Sequence, residues 1–233
     1  MNNKIAIILS IGLILASTVF GIFFLNARAD DQTVSVVGYA TRDFECDLVK
    51  WEFQLNQNVG KNEYEKGLQL INENLNAFKN FINNSNIAVK DLNVQPVNNR
   101  PEYEDGKITG RRIFQQVTLL SENLDEIENL AVNPAYLSEK GINISNSRLK
   151  YFKQGLDKLK EDLLSRAGAN AKARAQKILE STDLKIKKML SANSGVFQIT
   201  ERYSTRVAGY GIHNTSSRKK TIKVTVRASF KVK

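Results

Sequence analysis

Residues 154–190 read QGLDKLKEDLLSRAGANAKARAQKILESTDLKIKKML, and this stretch decides the fold. Its apolar residues recur at a helical spacing; they are Leu156, Leu159, Leu163, Ala167, Ala169, Ala171, Ala173, Ala175, Ile178 and Leu179. That spacing forms one apolar stripe on an α-helix, and the residues between are mostly charged. Alanine has the highest helix propensity and lets a helix approach its neighbour closely. The stretch therefore predicts one long helix from Gln154 to Leu190, lying close against a sheet.

Alternating residues mark the strands that would form this sheet. From Ile222 to Val232 every second residue is apolar, and the same holds from Val49 to Leu55, which includes Trp51 and Phe53. This period of two is typical of strands with one buried and one solvated face. We therefore expect Trp51, the only tryptophan, to lie in the core.

The remaining segments complete an α+β order. Residues 64–82 carry a narrow apolar seam that predicts a second long helix, and residues 124–131 predict a shorter one. Asp105-Gly106 is a hairpin signal before the strand at residues 111–120. The predicted order is ββαββαβαββ, with two long helices and one shorter helix packed on one face of a largely antiparallel sheet.

The N-terminus predicts a membrane or export segment. Residues 5–25 are uncharged and apolar, which is long enough to cross a bilayer as a helix. Ala27-Arg28-Ala29 has the small-x-small form of a signal-peptidase site, so cleavage at about Ala29 is the alternative to an uncleaved signal anchor. Both interpretations give residues 1–29 as the leader and residues 30–233 as one domain outside the cytoplasm.

Composition limits the chemistry of this domain. The chain has a formal net charge of +10, which favours anionic partners or simply a solvated basic surface. One cysteine, Cys46, and one histidine, His213, exclude an intramolecular disulfide and a Cys/His zinc site. We predict no cofactor and no metal.

Several landmarks then coincide in order with a known family. Residues 34–40, VSVVGYA, resemble the V-x-G-type start of SIMPL domains, formerly called DUF541. The similarity continues through residues 89–92 and 101–103, Asn123-Leu124-Asp125 and Lys140-Gly141-Ile142. Its most specific part is the alanine helix, residues 167–179. The sequence departs from the family pattern at Glu45-Cys46-Asp47, in place of the usual Pro-Asp, and at Ser181-Thr182, in place of a helix-ending glycine.

The resemblance implies an exported or membrane-anchored bacterial envelope protein without established catalytic residues. It also implies a loose link to envelope or oxidative stress, and self-assembly in some members. The first hypothesis is accordingly a non-catalytic, self-assembling or protein-interaction module, held at the inner membrane or released into the periplasm.

Two alternatives come from the residues themselves. Lys219, Lys223, Arg227 and Lys231 share the polar face of the last strand, which suggests a surface for anionic envelope polymers or lipid headgroups. That face has no aromatic residues for base stacking, so no nucleic-acid partner is expected. The remote alternative is a hydrolase that uses His213 in the loop at residues 206–217, although the G-x-S-x-G elbow is missing.

Overall fold

The computed structural model of the chain describes residues 2–28 and 32–233, and the side chains of residues 5–24 and 32–233. The helices are α1 (Asn2–Arg28), α2 (Tyr64–Asn83), α3 (Leu124–Val132), α4 (Pro134–Glu139) and α5 (Leu156–Leu179). The strands are β1 (Thr33–Glu45), β2 (Leu48–Gly60), β3 (Val89–Val94), β4 (Asn98–Glu104), β5 (Lys107–Ser121), β6 (Ile144–Phe152), β7 (Ile186–Ser194), β8 (Gln198–Glu201), β9 (Ile212–His213) and β10 (Lys219–Val232).

The strands form two sheets, and the predicted α+β class is confirmed. One sheet has the order β1-β10-β8-β9, with β7 also paired to β10; the other has the order β3-β5-β2-β6, with β4 also paired to β5. Every strand pair whose register is described is antiparallel, apart from β8–β9. The predicted order lacks β4, α4, β7 and β9, and the helices are divided between two sheets instead of sharing one face.

The long alanine helix is shorter than predicted, because it ends at Leu179 and not at Leu190. The hydroxyl of Ser181 donates to the carbonyl of Ile178, and Thr182 donates to that of Leu179 from both its amide and its hydroxyl. These bonds satisfy carbonyls that a continuing helix would have used. The chain then turns, and residues 186–194 form β7 against β10.

The chain folds into two compact units. Unit 1 comprises residues 1–39, 167–194 and 226–233, and unit 2 comprises residues 40–166 and 195–225. β1, α5 and β10 each contribute residues to both units.

The core of unit 2 lies between the β2–β5–β6 part of its sheet and α2. The inward residues of β2, from Val49 to Leu55, are fully buried, as the alternation predicts. The Phe53 ring lies 4.4 Å from the Trp51 ring and 5.0 Å from the Phe78 ring of α2, between centroids. Tilted and edge-on aromatic pairs at this distance are favourable. The sole tryptophan is therefore a core residue.

A tight turn joins β4 to β5 in unit 2. Asp105 and Gly106 have φ values of +49° and +74°, the left-handed pair that a type I′ turn requires. Pro101 lies in β4, which pairs with β5 alone among the described strands, so the missing amide of proline removes no bond from a central strand. The Asp-Gly hairpin prediction is confirmed, although β4 itself is missing from the predicted order.

In unit 1 the C-terminal half of α5 lies directly against β1. A Cβ atom at Gly38 would lie 2.4 Å from the carbonyl oxygen of Ala167 and 2.3 Å from the amide nitrogen of Ala171. Side chains do not approach backbone atoms so closely, so β1 requires glycine here. Ala167 and Ala171 are fully buried. The close helix–sheet approach predicted from the alanines is confirmed.

Two side chains of α5 also bind the backbone of β1. Asn170 Oδ1 accepts the amide of Tyr39 at 3.0 Å, and the Arg174 guanidinium donates to the carbonyl of Val37 at 2.8 Å. Arg174 also lies over the Tyr39 ring, 4.9 Å from its centroid. Alternate residues of a strand direct their backbone groups to the same side, so the side chains of Asn170 and Arg174 cover one edge of β1 at these two positions.

α1 contains an apolar segment long enough to cross a membrane. Residues Ile5–Phe24 meet that criterion by length and composition, and none of the segment is buried against the rest of the chain. Such a helix is compatible with a signal anchor or a signal peptide.

Replacing Gly38 with alanine should destabilise the fold by about 3 kcal/mol, because the new methyl group overlaps backbone atoms that cannot rotate away. Chemical denaturation followed by circular dichroism measures this change. Gly168→Ala is the matched control, since its Cβ would meet nothing within 4 Å; it should be neutral or stabilising by up to about 1 kcal/mol. Equal stability of the two variants would contradict the close contact.

Candidate functional site

Most of the net positive charge of the chain lies in unit 1. Residues 32–39, 167–194 and 226–233 contain nine Lys and Arg residues and two acidic residues, Glu180 and Asp183. Seven of the ten net charges therefore fall on 44 residues, whereas residues 40–166 and 195–225 of unit 2 hold a net charge of only +3. Unit 1 is therefore strongly basic, whereas the positive and negative charges of unit 2 nearly cancel.

Five lysines gather at one end of the unit 1 sheet. We call this set the lysine cluster: Lys185, Lys187, Lys188, Lys231 and Lys233. Lys185 and Lys233 exchange backbone hydrogen bonds of 2.8 and 3.0 Å, and Lys188 lies opposite Lys231 in the β7–β10 pairing. At the same end the amide of Val232 donates to the carbonyl of Gln32, at 3.0 Å. The cluster thus lies where β1 starts.

A groove of about 980 Å³ lies between the end of α5 and β7. Its apolar lining includes Leu179, Ile186 and Phe230, which are largely buried, and Met189, which is 47% exposed. Lys172 and three members of the lysine cluster, Lys185, Lys187 and Lys188, line it as well, together with Glu180 and Asp183. The groove therefore combines an apolar floor with a mainly basic rim.

Strand β7 is an exposed edge strand. It pairs with β10 and with no other strand among those the structure describes, and Met189 and Leu190 are 47% and 44% exposed. An edge strand presents unpaired amide and carbonyl groups to any chain that can add a further strand. Lysines such as Lys187 and Lys188 reduce such pairing but do not prevent it.

The predicted basic face of the last strand is divided between the two units. Lys219 and Lys223 belong to unit 2, whereas Arg227 and Lys231 belong to unit 1. Lys219, Lys223 and Arg227 are exposed and Lys231 is half-buried, so all four lie on the less buried side of β10, as the alternation predicts. Only Lys231 belongs to the lysine cluster.

His213 lies on β9 in unit 2, in positively charged surroundings. Partial burial and the charges of Lys220 and Lys160 lower its pKa. The neighbouring polar residues bind one another. The side-chain amide nitrogen of Asn214 donates to Glu201 and to Ser216 Oγ, and the side-chain oxygen of Asn214 accepts from the backbone amide of Ser217. In a hydrolytic triad an acidic side chain orients the histidine, whereas the charges that act on His213 are those of two lysines.

Arg218 is the centre of an ion-pair cluster in unit 2. Its guanidinium contacts Asp125 and lies 2.7 Å from Glu45 and 3.4 Å from Glu128, although Nε is not aligned for a hydrogen bond to Glu45. The hydrogen bond that Arg218 donates to Asp125 raises the pKa of Arg218 above its usual range. Burial, together with the Glu128 hydrogen bond, raises the pKa of Tyr151 to about 12, so its hydroxyl keeps its proton. These ion pairs connect β1, α3 and the residue that precedes β10.

Cys46 and Lys220 form a buried pair in unit 2. Cys46 is 4% exposed and Lys220 is 1% exposed, and the Lys220 ammonium contacts the thiol while donating to the Tyr151 carbonyl at 2.7 Å. Burial raises the pKa of the thiol, against the opposing effect of the lysine, and burial lowers the pKa of Lys220. Among the described residues, no three His, Cys, Asp or Glu side chains are placed together to hold a metal ion.

The lysine cluster and the β7 edge were missed by the sequence prediction. Residues 186–190 were assigned to the helix, where their side chains would have belonged to a solvated helix face. Thr182, Leu184 and Ile186 alternate with charged residues, which is a pattern typical of a strand. The two successive lysines, Lys187 and Lys188, interrupt this pattern.

The Cys46 thiol should be slow to react in the native protein. Because burial raises its pKa, the reactive thiolate is scarcer at any given pH, and reagents reach it only after local opening. Reaction with Ellman's reagent at about pH 8 should be slower by at least about an order of magnitude than for Cys46→Ser/Thr41→Cys, in which the only thiol lies at an exposed position of β1. Equal rates for the two thiols would contradict the burial of Cys46.

Comparison with known proteins gives a family but no function. The chain matches none of the curated proteins with which it was compared. A solved structure, described as the crystal structure of an uncharacterized conserved protein from Listeria innocua, is 12% identical over 80% of this chain and 91% of that chain, with a TM-score of 0.21. The family described as "SIMPL: Protein of unknown function (DUF541)" matches residues 34–231. The chain therefore belongs to the SIMPL family.

Proposed function

We propose that this protein is a non-catalytic module of the bacterial cell envelope, held at the inner membrane by α1, that associates with other copies through β7. The observation that carries the proposal is the exposed β7 edge, with Met189 and Leu190 beside it. The link to envelope or oxidative stress rests on the family resemblance alone. The non-catalytic assignment is supported by the positively charged surroundings of His213, which has no orienting acid among the groups that shift its pKa.

The membrane part of the proposal is supported by the length of the apolar helix. Residues Ile5–Phe24 exceed the usual apolar core of a cleaved signal peptide and suffice for a bilayer crossing. Lys4 precedes this segment, and Asp30 and Asp31 follow Arg28 after one alanine. This balance favours a cytoplasmic N-terminus and an extracytoplasmic domain.

The full-length chain should stay in the membrane fraction after an alkaline carbonate wash, with its first 29 residues still present by intact mass. Leu13→Arg/Leu15→Arg should release it, because each arginine at the centre of a membrane helix costs about 3 kcal/mol. Leu13→Ala/Leu15→Ala is the matched control and should remain bound. A mature chain that begins after Ala29 would instead identify a cleaved signal peptide, with the domain in the periplasm.

Association through β7 is supported by the composition of that strand. Residues 186–194 contain no acidic side chain, proline or glycine that would interrupt strand pairing, and the exposed Met189 and Leu190 offer apolar contacts. A second copy of the chain has the same open strand, so we propose another molecule of this chain as the partner of β7. Added strands bind through main-chain hydrogen bonds and gain specificity from alternate side chains.

Light scattering of the full-length chain in detergent, corrected for the micelle, should give a protein mass above that of a monomer. Leu190→Lys should shift the mass toward the monomer, because a third charge on the β7 edge opposes strand addition. Val132→Lys, which changes an aliphatic residue of unit 2 that is 76% exposed, is the matched control and should keep the larger mass. A monomeric wild-type chain would contradict the proposal.

A second candidate is binding to an anionic partner, and it is favoured by the charge of unit 1. Nine basic and two acidic residues among 44 give this unit a local positive potential that attracts polyanions. Of the predicted residues, Arg227 and Lys231 belong to this basic unit, whereas Lys219 and Lys223 belong to the nearly balanced one.

A further inference from the structure

We propose that the lysine cluster binds the anionic phospholipid headgroups of the membrane that α1 crosses. This inference rests on one part of the proposed function, the membrane anchor, because it requires α1 to remain in the bilayer; it does not depend on association through β7. It goes further by naming the partner, the residues that bind it and the end of unit 1 that faces the membrane.

The chain connection sets the distance between the cluster and the bilayer. Only eight residue steps separate Phe24, the end of the membrane-length segment, from Gln32, so the connection spans at most roughly 29 Å when fully extended. From Arg28, where α1 ends, the reach is roughly 14 Å. Gln32 accepts the amide of Val232, which lies between Lys231 and Lys233. The lysine cluster is therefore tethered within reach of the membrane surface.

The charges of this end of unit 1 are available to a polyanionic surface. Lys185, Lys187, Lys188 and Lys233 are exposed. Among residues 167–194 and 226–233 the acidic residues are Glu180, which already pairs with Lys177 at 2.6 Å, and Asp183. Asp30 and Asp31 precede Gln32 in the chain, so this part of the sequence sets three further acids against the five lysines. Headgroup attraction acts over about one Debye length, roughly 8 Å at physiological ionic strength, so several lysines at one end act together.

Apolar residues beside the lysines fit the same partner. Met189 and Leu190 follow Lys187 and Lys188 along β7 and are both nearly half exposed. Surfaces that lie on membranes combine basic residues with exposed apolar ones, since the former bind headgroups and the latter enter the acyl boundary. A nucleic acid or a soluble polymer would gain nothing from this apolar strip.

The test uses the full-length chain in lipid nanodiscs and measures amide hydrogen exchange in residues 183–194. With about 30% phosphatidylglycerol in phosphatidylcholine, these amides should exchange several-fold more slowly than in phosphatidylcholine alone. Roughly 0.5 M NaCl should remove the difference, because salt screens headgroup attraction. Lys185→Gln/Lys187→Gln/Lys188→Gln should remove it at low salt.

The matched control is Lys61→Gln/Lys79→Gln/Lys107→Gln, which neutralises three exposed lysines of unit 2 and should keep the lipid-dependent protection. Protection that is equal in both lipids, or unchanged by the triple cluster variant, overturns the inference and leaves the anchor intact. Protection that follows protein concentration instead of lipid charge assigns β7 to a second copy and also overturns it. Loss of the chain from the discs would overturn the anchor and this inference together.

Discussion

The close contact between Gly38 and α5 is the constraint on which unit 1 depends. Because Gly38 has no side chain, the backbone of α5 at Ala167 and Ala171 can lie directly against β1. This brings Ala171 and Ala175 into one apolar cluster with Val36 of β1, Ala228 and Phe230 of β10. A larger residue at any of these small positions would separate helix and sheet, and Asn170 and Arg174 could no longer reach the backbone of β1.

Sequence periodicity predicted the parts of the fold that are determined by residues close together in the sequence. The inward row of β2, the α2 seam from Ile71 to Ile82 and the apolar row of β10 all identified buried residues correctly, and Asp105-Gly106 identified its turn. Tyr64, at the start of the predicted seam, is 38% exposed. The predicted end of α5 was wrong because the real end depends on hydrogen bonds made by hydroxyl groups. Ser181 and Thr182 satisfy the last carbonyls of the helix, and a pattern of apolar spacing carries no information about such bonds.

The candidate surface could be predicted only in part. The polar face of β10 was found because its residues alternate along one strand. The lysine cluster is assembled from two segments that are about forty residues apart in sequence, and Lys185 and Lys233 meet only through the pairing of β7 with β10. The overall charge of +10 likewise concealed its concentration in one unit. Both features depend on tertiary topology, which the composition of a single sequence does not specify.

The bonds that Asn170 and Arg174 make to β1 also limit how far sheets of unit 1 can propagate. At Val37 and Tyr39 the backbone groups that another strand would need are already taken by side chains of α5. A strand from another molecule would therefore meet two occupied backbone groups on β1, whereas β7 pairs with β10 alone among the described strands. Association through β7 should then favour a pair of molecules over a growing fibre.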